Sequence, residues 1–135
     1  MLQLGWFGTP AASADETFEL LNGANVIDAK ATPAPKGGTS QITLRLENYG
    51  NTDMYLIGIR SKKAESGALM IQPVGGPAQA ADQYLVKSEE TLDLATSHIW
   101  MELRGMHTPL TAGEAVEFDL IFRNGVSTGV AHVHP

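Results

Sequence analysis

The chain contains no cysteine. Disulfides, thiolate metal sites, cysteine nucleophiles and iron–sulfur clusters are therefore excluded together. The redox compartment stays open, because a secreted protein can also lack cysteine. Basic residues are scarce: nine Lys and Arg stand against fifteen Asp and Glu, a formal charge of -6, with no basic run. Such a chain is poorly suited to phosphate backbones or anionic lipid, so no nucleic-acid partner is expected. No apolar run approaches the roughly 20 residues that cross a bilayer, so no membrane span is expected. No glycine pattern follows a strand and opens a helix, which removes a nucleotide-binding loop. Ser97 and His98 are adjacent. On a strand they would point to opposite faces and could not act as nucleophile and base. Glu89 and Glu90 lie in a polar stretch and read as solvated surface. With no catalytic constellation, the chain is not read as an enzyme.

What is present fits a turn-rich β protein. At 135 residues the length supports one domain, and 43% hydrophobic with 18% charged residues makes it globular. Ile42, Leu44 and Leu46 alternate with Thr43, Arg45 and Glu47. Val116, Phe118, Leu120 and Phe122 alternate with Glu117, Asp119 and Arg123, with Ile121 the one exception. This is the period of strands with one face on a core. Further strands are expected over Val26–Ala31, Tyr55–Ser61, Ala68–Val74, Thr91–Leu94, His98–Leu103 and Thr128–Val133. Asn48-Tyr49-Gly50-Asn51 reads as a turn, and Asn124-Gly125 as a type I′ hairpin turn. Val74–Lys87 reads as a long loop. Many short strands at close spacing argue for an antiparallel β-sandwich.

The first 23 residues read as an N-terminal extension, a signal-peptide remnant or a linker, ahead of a domain over 24–135. Ser13 and Glu16 have capping-box spacing, one opening for a short helix over Glu16–Leu21.

Histidine and methionine gather late in the chain. His98, His107, His132 and His134 fall in the last 38 residues, with Met101 and Met106 among them. Imidazole and thioether together suit Cu(I), and imidazole alone suits Cu(II) or Zn(II). His132-Val133-His134 would put both rings on one side of a terminal strand. A solvated terminus is the plainer reading of that pair. A surface loop is the plainer reading of Met106-His107, and core filling that of Met70 and Met101.

Several stretches, in order, resemble the PCu(A)C family of periplasmic copper chaperones. They are Ala29-Lys-Ala-Thr-Pro-Ala-Pro-Lys-Gly, Leu46-Glu-Asn-Tyr-Gly-Asn-Thr-Asp with Leu56-Ile-Gly, and Gly67-Ala-Leu-Met-Ile-Gln-Pro-Val. Thr91-Leu-Asp-Leu through Gly105, Pro109-Leu-Thr-Ala-Gly-Glu, and Glu117–Arg123 with Asn124-Gly125 complete the series. The resemblance runs from Asn25 to Val133. It implies a cupredoxin-like, Greek-key β-sandwich in the periplasm or another extracytoplasmic space. It also implies bound copper and delivery to a respiratory oxidase or another copper protein.

The family holds Cu(I) with a His, a Met and a His-x-Met pair. Carried over residue by residue, those ligands fall on Arg60, Ile71, Trp100 and Glu102, none of them a normal Cu(I) ligand. Two readings follow. Copper is held at an altered site drawn from His98, Met101, Met106, His107, His132 and His134. Alternatively the chain is a metal-free homologue that works as a protein-interaction module. The carry-over also places Trp100 near Arg60, Ile71 and Glu102, with an Arg60–Glu102 ion pair expected.

Overall fold

A computed structural model describes residues 17–19, 23–96 and 98–135. Among them there is no helix, and none long and apolar enough to cross a membrane. Eleven strands follow in chain order. They are β1 (Thr17–Glu19), β2 (Ala24–Ala31), β3 (Thr39–Asn48), β4 (Met54–Arg60), β5 (Ala64–Ile71) and β6 (Gln79–Ala81). They continue with β7 (Tyr84–Val86), β8 (Glu90–Asp93), β9 (Ile99–Met106), β10 (Ala115–Phe122) and β11 (Gly125–Val133). The hydrogen-bonded order is β6-β5-β9-β3-β2-β11-β10-β4-β7, with β1 on β2 and β8 on β3. Every pairing is antiparallel except β2 with β11, which meet at His132–Lys30 and Val133–Ala31. Strands β4 and β5, far apart along this path, also pack against each other. The sheet thus curls into an all-β, cupredoxin-like sandwich that is nearly a closed barrel.

The inward faces follow the alternation in sequence. Ile42, Leu44 and Leu46 are buried from β3, and Val116, Phe118, Leu120 and Phe122 from β10. Ile121, the exception, lies on the outer face, its Cδ1 3.5 Å from where a Cβ on Gly58 would stand. Among the described residues two polar ones, Ser40 and Asn48, are buried with this core, and both are satisfied. Ser40 Oγ donates to Thr32 O at 2.7 Å. Asn48 Nδ2 donates to Thr52 O and Val86 O, while its Oδ1 accepts from Gly50 N. One side chain therefore builds the expected Asn48–Asn51 turn and ties it to β7.

Three expectations are corrected. Thr17–Glu19 is a strand on β2, not part of a helix, so the sheet takes in part of the segment expected as an extension. Ser13 and Glu16 lie outside the described residues. The Val74–Lys87 loop contains β6 and β7, which cover the ends of β5 and β4. At the β10–β11 hairpin, Phe122 faces Gly125, so the two-residue turn is Arg123-Asn124. Neither takes positive φ, which a type I′ turn requires. The Arg123 N–H extends the ladder to Tyr55 O at 3.1 Å, which holds that residue to β4 and moves the turn back by one.

Candidate functional site

Three of the four positions expected for the ligands, Ile71, Trp100 and Glu102, are placed by the register of β5 against β9. Trp100 lies opposite Met70 and Glu102 opposite Ala68. Paired residues share a face, and next neighbours point the other way. Trp100, Glu102 and Met70 therefore share the outer face, while Met101 and Leu103 point into the core. Ile71 pairs with Ile99, which packs on the core, so it falls on the opposite side from Trp100. Arg60 ends β4 beside the turn into β5, whereas Ile71 ends β5 a full strand length beyond that turn. Ligands to one ion must all approach within about 2.0–2.3 Å of it. The four positions do not converge in that way.

The outer face is instead closed on itself. Arg104, two residues beyond Glu102, donates from Nε to Glu102 Oε1 at 2.9 Å and from a terminal nitrogen to Met70 Sδ at 3.2 Å. The Trp100 indole N–H donates to the other carboxylate oxygen, Oε2, at 2.9 Å. The Glu102 side chain is only 16% exposed and Met70 8%, while the Arg104 side chain is 44% exposed. A guanidinium thus lies over a thioether and a carboxylate that are otherwise covered. From the core side, the Tyr84 hydroxyl accepts the Met70 N–H at 2.9 Å and lies 2.6 Å from Trp100 O and 2.5 Å from Met70 O. Burial pushes its pKa up to about 12.

The expected Arg60–Glu102 pair does not form. Arg60 Nε donates to Asp119 Oδ2 at 3.0 Å, because β4 pairs with β10 at that level. Glu102 is taken by Arg104 and Trp100. The Thr128 hydroxyl and then Arg60 hold the Asp119 carboxyl below its usual range.

The histidine and methionine candidates are dispersed. His98 and His107 are exposed at opposite ends of the eight-residue β9, roughly 25 Å or more apart at about 3.3 Å per residue. Met101 and Met106 are core residues, 0% and 1% exposed, so their thioethers have no open side for an ion. Met106 enters the core through a bulge at Gly105, where φ is +69°. Both Gly105 N and Met106 N donate to Gly38 O, so the alternation shifts by one and His107 is left outside. His132 is half-buried on β11 opposite Ala115 and Lys30. His134 is exposed just past that strand, its N–H bonded to Ala31 O. Among the described residues, no three of His, Asp and Glu gather closely enough to hold a metal ion.

Sequence reasoning missed Arg104 and Tyr84. Arg104 was within reach, since Trp100, Glu102 and Arg104 at i, i+2 and i+4 must share a strand face. Tyr84 was not, because its partners come from β5 and β9 through tertiary packing.

The topology defines a cupredoxin-like β-sandwich, the fold of PCuAC domains. The LpqE-like family of putative lipoproteins matches residues 24–133, and the chain belongs to that family. Among solved structures, the copper-bound PCuAC domain of PmoF2 is 18% identical with a TM-score of 0.75, covering 88% of this chain and 97% of that one. The apo PCuAC domain of PmoF1 is 17% identical with a TM-score of 0.76, covering 89% of this chain and 100% of that one. Cu(I)-loaded DR1885 from Deinococcus radiodurans is 23% identical with a TM-score of 0.62, covering 78% of this chain and 76% of that one. At these identities the likeness is one of fold. No curated protein matches the sequence.

Proposed function

We propose that this chain is an extracytoplasmic, non-catalytic domain of the copper-trafficking PCuAC type with an altered metal position. It acts by docking to a copper protein, such as a respiratory oxidase or another copper acceptor, without holding the ion where PCuAC domains hold it. One observation carries the reading. On the face that carries Trp100 and Glu102, the soft donor Met70 and the anionic donor Glu102 are both bonded to Arg104. An incoming Cu(I) would have to displace a fixed cation to gain one thioether and one hard oxygen, a poor exchange for a soft ion. What that face offers a partner is a held indole, with Val74 fully exposed in the loop that follows β5. Aromatic side chains fixed in place are common anchors of protein contacts.

A second reading keeps the ion but moves it. His132 and His134 flank the buried Val133, so both rings stand on the outer side of the chain end. Titration of the purified chain with Cu(I) under reducing conditions, and with Cu(II) under oxidising ones, tests both. Docking without carriage predicts no saturable binding at micromolar metal. Binding lost in His132→Ala/His134→Ala moves carriage to the tail, and binding lost in His98→Ala moves it to the start of β9. Binding lost in Met70→Leu would end the proposal.

A further inference from the structure

The face of Met70, Trp100 and Glu102 is built to receive a cation. A covered thioether and a covered carboxylate oxygen point at one position, and the second carboxylate oxygen is held by the indole N–H. What fills that position belongs to the chain itself. We infer that Arg104 is the resident cation of this face and the positioning residue for Trp100. It fixes Glu102, and Glu102 fixes the indole. This rests on the reading of Trp100 as a contact residue.

The chemistry favours arginine here. Two donors at a fixed spacing reach an oxygen and a sulfur together, which a lysine ammonium on a flexible stem does not reproduce. The side chain is also separable from the fold. The backbone of Arg104 stays paired with Ser66 on one side and Thr39 on the other whatever its side chain does. Its removal should therefore empty the cradle without opening the sheet.

The test reads the Trp100 indole N–H by nitrogen-15 NMR, in a Trp6→Phe background so that the resonance is unambiguous. In the parent the resonance should exchange slowly with solvent and ignore millimolar methylguanidinium. In Arg104→Ala it should move and exchange several-fold faster, while the remaining amide spectrum stays dispersed. Methylguanidinium should then bring it back saturably, and methylammonium at equal ionic strength should not. Arg104→Lys should lie between parent and alanine variant, which keeps the test decisive should the alanine variant fold poorly. An unmoved indole resonance in both variants, or a moved one that methylguanidinium leaves unchanged, overturns the inference. Cu(I) added to the parent judges the docking proposal separately. A copper-dependent shift of the Trp100 resonance would end that proposal, and the methylguanidinium response would still decide the role of Arg104.

Discussion

A methyl group at position 67 would have no room. A Cβ built on Gly67 falls 2.0 Å from Ile59 O and 2.8 Å from its carbonyl carbon, and both are backbone atoms. Here β4 crosses β5 at a separation that only glycine permits. Gly67→Ala must push two strands apart, and overpacking costs of about 1–3 kcal/mol set the lower range. Chemical denaturation should show a loss of at least about 2 kcal/mol. Parent stability in that variant would mean that β4 and β5 do not meet there. Tyr84 makes a different residue-scale prediction. Its hydroxyl serves the Met70 N–H and lies against two carbonyls in a buried setting. Tyr84→Phe keeps the ring and removes those contacts, so about 1–3 kcal/mol should be lost. The same variant should raise amide exchange at Met70 before it does so in β10. Uniform exchange across the sheet would contradict that local role.

At the scale of elements, Asp119 links three strands. It sits on β10, accepts from Arg60 of β4 at 3.0 Å and from Thr128 of β11 at 2.7 Å. These bonds depress its folded-state pKa, with Thr128 the larger cause. The sign follows from linkage. A carboxyl with a lowered folded pKa gives stability that is fully present above its unfolded value, about 3.9, and is lost as pH falls through the folded value. The Asp119 contribution should therefore vanish only below about pH 4. Asp119→Asn should lower the melting temperature at neutral pH and narrow its gap to the parent as the pH falls from 5 to 3. An unchanging gap would assign the effect to packing.

The long strands β10 and β3 are where the sequence was most readable. Val116, Phe118, Leu120 and Phe122 alternate over seven residues, and Ile42 to Leu46 over five, so a period of two could be seen without a structure. The strands β6 and β7 are three residues each and leave no such period, so Gln79–Val86 read as loop. The candidate face was half legible. Trp100, Glu102 and Arg104 at i, i+2 and i+4 share one strand face, which their spacing alone shows. Ile71 facing away from Trp100, and Arg60 bonding Asp119, depend on cross-strand register, which no single strand encodes. The fate of Met106 turned on one bulge at Gly105.

At the scale of the whole molecule, the core draws on strands from Ala24 to Val133, and the two buried polar side chains among the described residues are satisfied within the chain. A metal that bound only the folded state would add RT ln(1 + [L]/Kd), about 2.7 kcal/mol at a hundredfold excess over Kd. For a domain of this size that is a rise in melting temperature of roughly 10 °C. Docking without carriage predicts much less. The melting temperature should be unchanged by chelator, and copper at micromolar excess should move it by no more than about 1 °C. The contrast with a loaded PCuAC domain gives the measurement its force, since the same sandwich holding its ion should show the full rise. A copper-induced rise near 10 °C that survives His132→Ala/His134→Ala and disappears in Met70→Leu would mean that Cu(I) displaces Arg104. The chain would then carry copper on the face where its own guanidinium now sits.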